Sequence, residues 1–159
     1  ELHGLDYRIL RLANPFGERQ RPTGAQGAVS VFLHKALRNE TIEIWGDGTI
    51  IRDYVYVGDV VDAFLKVASY NGGHRVLNIG SGDGKSLKDV IVAIESLLGR
   101  KISYTTLPSR KFDVPINILD SSRACTALKW QPKTSFNDGL SRMLNWILET
   151  EGAARRQGT

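Results

Sequence analysis

The run Glu43-Ile44-Trp45-Gly46-Asp47-Gly48, followed after three residues by Arg52-Asp53-Tyr54-Val55-Tyr56-Val57-Gly58-Asp59, sets an indole and a guanidinium on either side of a glycine turn. The stretch reads as a short strand, a turn, a second strand and an acidic helix start. An indole offers a flat apolar wall. A guanidinium offers a fork of donors matched to phosphate oxygens. The glycines let backbone approach a ligand closely. Taken alone, these residues describe a binder of nucleotides or phosphates.

Other candidate motifs fail on spacing. Gly80-Ser81-Gly82-Asp83-Gly84-Lys85-Ser86 lies between a strand and a helix and ends Gly-Lys-Ser. A Walker A loop needs one more residue between its glycines, and Ile79 stands where the longer loop would need it. As a dinucleotide fingerprint it places Lys85 where the third glycine belongs. The better reading is a tight strand-to-helix connection capped by Ser86. Gly24-Ala25-Gln26-Gly27 is a flexible loop entering a helix, with no strand before it. His3, His34 and His74 are dispersed, without the spacing of metal ligands. No Ser-His-Asp or Cys-His arrangement is supported by spacing.

Composition narrows the class. The 159 residues suit a single domain that can bury a core without staples. Apolar residues at 42% and charged residues at 24% are those of an ordinary globular protein. Cys125 is the single cysteine, which excludes an internal disulfide and fits a reducing cytoplasm. The longest apolar run, Val90 to Ile94, is far too short to span a membrane. The net charge of +4 is mild and lacks a basic stripe with interleaved aromatics. No nucleic-acid or membrane partner is expected.

The elements that must position Trp45 and Arg52 alternate between strands and helices, predicting an α/β architecture with parallel pairing. Strands are expected at Tyr7–Ala13, Thr41–Trp45, Asp53–Val57, Arg75–Ile79 and Ile102–Thr106, with loops from Asn14 to Gly27 and from Pro108 to Pro115. Val29, Phe32, Leu33, Ala36 and Leu37 share one helical face. Asp59 is placed as the cap of a second helix, and Ser86 to Asp89 as the capping box of a third. Asp120 is expected to cap a short helix through Leu128. Leu140 to Leu148 mark the last helix, and residues 151–159 a frayed polar tail beyond a 1–150 domain.

Five separated segments resemble, in order, the extended short-chain dehydrogenase/reductases, the family of NAD-dependent nucleotide-sugar epimerases and dehydratases. Arg11-Leu12-Ala13-Asn14-Pro15-Phe16-Gly17 is similar to the motif R-x-x-N-x-Y-G, with Phe16 for tyrosine. Trp45-Gly46-Asp47-Gly48 with Arg52 to Val57 resembles G-x-G…R-D-[YF]-[IV]-x-V. Asn78 to Gly82, Arg110-Lys111-Phe112-Asp113, and Asp120 to Arg123 with Leu128 to Pro132 match the remaining pieces. The resemblance is nearest to the UDP-glucose 4-epimerases. It implies a mixed, largely parallel sheet with flanking helices: the carboxyl-terminal substrate-binding part of a Rossmann-type fold.

The resemblance also assigns roles. Asn14 would donate to a phosphate or sugar oxygen, and Pro15 would lie near the nicotinamide of NAD. Ala28 and Val29 would offer backbone donors to the diphosphate of a UDP-sugar. Glu43 and Trp45 would bracket the uracil. Arg52 and Arg110 would converge on the diphosphate, and Asp113 would accept from ribose hydroxyls. Asn117, where epimerases that exclude N-acetyl sugars carry tyrosine, would admit UDP-N-acetylhexosamines. Plainer readings stand beside these. Asn14 reads equally as a turn residue, Trp45 as core, Arg52 with Asp53 as a surface ion pair, and Arg110 with Asp113 as a mutual pair. Trp130 and Pro132 are read as structural.

Two features of the family are missing from the sequence: the glycine fingerprint for NAD and the Tyr-x-x-x-Lys pair. No tyrosine here is followed four positions later by lysine. The chain is therefore expected to be a carboxyl-terminal fragment that lacks the amino-terminal Rossmann half, is catalytically inactive and holds NAD poorly. Its exposed edge strands are expected to favour a homodimer or strand-exchanged oligomer. A dehydratase or reductase of the same family, and a non-catalytic nucleotide-sugar-binding module, remain alternative readings.

Overall fold

A computed structural model describes residues 4–22, 27–109 and 113–157. The elements run β1 (Ile9–Leu12), β2 (Asn14–Phe16), α1 (Ala28–Leu37), β3 (Ile42–Trp45), β4 (Ile51–Tyr56), α2 (Val57–Ala68), β5 (Val76–Ile79), β6 (Gly84–Ser86), α3 (Leu87–Leu98), β7 (Tyr104–Leu107), β8 (Ile116–Asn117), α4 (Ser122–Leu128) and α5 (Phe136–Gln157).

Pairing is mostly parallel. β1 pairs with β5, β3 with β7, and β2 and β8 with β4, while β6 runs antiparallel to β4. The strands form three small sheets rather than one continuous one. β4 is the hub, and its alternation separates two cores. Tyr54 and Tyr56 join Phe16 and the inner faces of α1, α3 and α5. Val55 joins Leu77, Ile79, Val60, Ala124 and Trp130 in the other core. The indole of Trp130 is fully buried and donates from Nε1 to the Asp59 carbonyl at 2.9 Å.

Several boundaries differ from the sequence expectation, each for a tertiary reason. Asn14–Phe16 is a strand, not a loop. It bonds to β4 on one side only, so Pro15, which lacks an N–H, is tolerated at an edge. β6 and β8 are too short to carry a pattern and exist because β4 offers partners. Asp59 does not cap α2, which begins at Val57. Its buried carboxylate instead accepts from the Thr134 N–H at 3.0 Å. α4 begins at Ser122, where Asp120 Oδ1 accepts the Ser122 N–H at 2.9 Å. The tail expected from Glu151 is, as far as Gln157, the last stretch of α5, mostly good helix formers despite Gly152. The Ser86–Asp89 capping box of α3 is present with both reciprocal bonds.

Candidate functional site

A cleft of about 800 Å³ opens between α1, the carboxyl ends of β2 and β3, and the start of β4. Its volume falls in the range of small-molecule sites. α1 contributes Ala28, Val31, Phe32 and Lys35, a stripe at i, i+3, i+4 and i+7. The helix starts at Gly27, whose left-handed backbone (φ 87°) is followed by no capping side chain. Among the described residues no side chain caps this end, so the first N–H groups of the helix, with the positive end of its dipole, lie at the cleft. The Val29 side chain itself is buried in the core.

β3 alternates Ile42 and Ile44 inward with Glu43 and Trp45 outward. Trp45 is 42% exposed and forms a cleft wall, so the core reading of this indole does not hold. Glu43 lies on the same face, 3.9 Å from Lys35 Nζ. Arg52 and Tyr54 project from β4 into the cleft. The Arg52 guanidinium donates to the carbonyls of Ile51 at 2.9 Å and Val114 at 2.6 Å. Its second terminal nitrogen lies 3.8 Å from Asp113, which also lines the cleft. Asp113 thus pairs with Arg52, and the surface pair of Arg52 with Asp53 does not form. Asp53 turns to the opposite side of β4 and is 1% exposed.

Of the residues singled out from sequence, Asn14, Pro15, Ala28, Val29, Glu43, Trp45, Arg52 and Asp113 line this one cleft. The Asn14 amide donates to the Asp53 carbonyl at 2.9 Å, which commits one of its hydrogens to the fold. It sits in a strand, so the turn reading is replaced. Arg110 lies outside the described residues. Asn117 is exposed and is not among the residues that line the cleft. It sits on β8, a two-residue strand, directly in register with Arg52 of β4.

Sequence reasoning missed Gln20, Lys35 and Tyr54. Lys35 was detectable as the polar end of the second α1 stripe. Gln20, whose Oε1 is buried without a hydrogen-bond partner, had no signal in the sequence. Burial pushes the Tyr54 phenol up to about 12, against the opposing charge of Arg52. The shift keeps the phenol neutral, the reverse of what an activated tyrosine base requires.

Among the described residues no group of His, Cys, Asp and Glu could hold a metal ion. No described helix is long and apolar enough to cross a membrane. A dinucleotide needs a glycine loop with open backbone donors. The loop from Gly80 to Gly82 is filled by the Asp53 carboxylate, which accepts from Ser81 N–H at 2.8 Å and Gly82 N–H at 3.3 Å. That turn therefore offers no open donors to a dinucleotide phosphate, and Pro15 lies in the wall of the cleft.

A parallel α/β frame thus brings an aromatic wall, a guanidinium and a helix N-terminus around one cleft. The chain belongs to the NAD dependent epimerase/dehydratase family, whose sequence profile matches residues 1–80. It is 35% identical over 146 residues to the UDP-glucose 4-epimerase of Mycolicibacterium smegmatis, covering 92% of this chain and 47% of that protein. It is 37% identical over 144 residues to an Escherichia coli dTDP-4-dehydro-6-deoxyglucose reductase, covering 87% of this chain and 44% of that protein. The crystal structure of Thermotoga maritima UDP-glucose 4-epimerase with UDP-glucose superposes with a TM-score of 0.88 at 38% identity, over 93% of this chain and 48% of that one. The chain spans about half the length of the curated relatives it matches.

Proposed function

We propose that the cleft binds the nucleotide diphosphate of a UDP-sugar, and that this chain is the substrate-binding part of an NAD-dependent nucleotide-sugar epimerase of the UDP-glucose 4-epimerase type. The observation that carries the reading is the convergence of Trp45, Arg52 and the uncapped start of α1 on one cleft. The uracil lies against the indole with Glu43 at its edge. Arg52 and the N–H groups of Ala28 and Val29 hold the diphosphate, with Arg110 as the second guanidinium. Asp113 accepts from the ribose, and Asn14 donates its remaining hydrogen to a phosphate or sugar oxygen.

In the intact enzyme, bound NAD supplies hydride transfer at the sugar. The residues of this chain bind and orient the substrate. By this reading the chain alone does not turn over, and its setting is the cytoplasm. Calorimetric titration with UDP tests the cleft: saturable binding that Arg52→Met weakens is expected, and no heat from UDP overturns the reading. Incubating the chain with UDP-glucose and NAD tests the inactivity, which any conversion to the epimer overturns.

The similarity to a dTDP-4-dehydro-6-deoxyglucose reductase supports a second reading within the same family, a reductase or dehydratase on a dTDP-sugar. Tighter binding of dTDP than UDP would favour it. A non-catalytic nucleotide-sugar module is a third, and binding without turnover in the longest natural form of the protein would favour that one. Acceptance of UDP-N-acetylhexosamines is assigned to Asn117, which lies on β8 in register with Arg52. In the longest natural form of the protein, Asn117→Tyr is expected to lower the N-acetyl to plain sugar rate ratio, and an unchanged ratio overturns this assignment.

The open edge of β1 and the exposed Leu5, Tyr7, Ile9 and Leu12 are the surface assigned to an amino-terminal dinucleotide-binding half. On the chain alone they favour a homodimer. Sedimentation at rising concentration tests this, and a monomer throughout overturns it.

A further inference from the structure

The glycine loop after β5 has the wrong spacing for a phosphate, yet it is assembled as an anion receptor. Asp53 Oδ1 accepts from the Ser81 N–H at 2.8 Å and the Ser81 hydroxyl at 2.6 Å. Oδ2 accepts from the Gly82 N–H at 3.3 Å and the Leu119 N–H at 3.2 Å. Gly80 leaves the space, since a Cβ there would collide with Oδ2. Converging backbone N–H groups in a glycine turn are how proteins hold phosphate oxygens. Here a carboxylate from a neighbouring strand takes that place.

The same residue braces the cleft. Its carbonyl accepts the Asn14 amide at 2.9 Å, and its neighbours Arg52 and Tyr54 both face the ligand side. The carboxylate reaches across to the turn after β5 and to the segment after β8, so three distant segments are tied to one residue of β4.

We propose that Asp53 is a positioning residue: an internal anion that occupies the glycine-loop receptor and thereby fixes Arg52 and Asn14 toward the cleft. The effect on ligand binding rests on the nucleotide-diphosphate reading, whereas the internal-anion role does not. Asp53→Ala leaves three N–H donors around a hole shaped for a carboxylate, which formate can enter.

The test compares wild type and Asp53→Ala of the whole chain in sodium formate and in sodium chloride at equal ionic strength, reading thermal midpoint and UDP affinity. In chloride the variant is expected to melt lower and to bind UDP about tenfold more weakly, the scale of one lost charged hydrogen bond. Formate is expected to recover both in the variant and to leave wild type unchanged.

Formate acting equally on both proteins, or a variant indistinguishable from wild type, overturns the proposal. Recovered melting with UDP affinity untouched by the substitution overturns the positioning role. Recovered melting in a protein whose wild type never bound UDP supports the internal anion and removes the nucleotide reading instead. Should the variant not fold, hydrogen exchange on wild type decides. The Ser81, Gly82 and Leu119 amides must exchange far more slowly than that of Gly73, and fast exchange at Ser81 and Gly82 overturns the assignment.

Discussion

Two places in this chain gather backbone N–H groups as an anion would require, and the fold treats them in opposite ways. At the start of α1 no side chain among the described residues caps the helix, and its first donors border the cleft beside Arg52. At the turn after β5 the donors are consumed internally by Asp53. The helix start, which the family resemblance assigns to the diphosphate, lies beside Arg52 only in the packed structure. The glycine turn suggests one in the linear sequence, yet its donors are already occupied. Donor-rich backbone thus marks a ligand site only where no internal acceptor lies within reach.

This contrast can be broken or sharpened by substitution, beginning with the internal site. Gly80→Ala drives a methyl into Asp53 Oδ2 and is expected to cost about 3 kcal/mol in urea denaturation, combining overpacking with disturbed buried bonds. A loss below the error of the measurement would remove the claim that the receptor is tightly filled.

Tyr54 reports on burial at the cleft floor. Its folded pKa of about 12 stands above the ordinary value of 10, so the fold favours the neutral phenol. That stability is fully present below pH 10 and is lost as pH rises toward 12, about 2–3 kcal/mol in all. Denaturation midpoints from pH 9 to 12 should fall more steeply in wild type than in Tyr54→Phe, and parallel curves would contradict the assignment.

On the ligand side, Arg52→Met is expected to weaken UDP binding by ten- to a hundredfold, about 1.5–3 kcal/mol. It should change stability by less than about 1 kcal/mol, because the Asp113 pair is partly solvated. Loss of stability with unchanged affinity would recast Arg52 as structural. Trp45→Ala should reduce UDP affinity about tenfold and the affinity for inorganic pyrophosphate hardly at all, since only the base meets the indole. Equal losses for both ligands would remove the stacking role. The smallest effect belongs to Gly82→Ala. Its φ of 73° disfavours a side chain, but the space beside it is open, so about 1 kcal/mol is expected by the same denaturation assay.

Much of the frame was legible along the chain because it depends on local periodicity. The α1 face of Val29, Phe32, Leu33 and Ala36, the Ser86–Asp89 capping box and the Tyr54/Val55 alternation each follow from residues a few positions apart. Neighbouring motifs of one family also carried Trp45 and Arg52. The partners of Asp53, Asp59 and Asp113 were not legible, since each carboxylate meets groups far away in sequence. Gln20 enters the cleft only because its amide packs beside Gly27.

What the order of residues determined by itself is the longer strands and helices, the family and the chemical types available for a nucleotide. Hydrophobic period, caps and turn residues act over one or two turns of chain, and a linear reading captures them. Only the packed structure decided which donors face outward and which are satisfied within, because a long-range hydrogen bond depends on where β4 lies against the turn after β5. One aspartate crossing that gap turned an apparent phosphate loop into part of the protein's own frame.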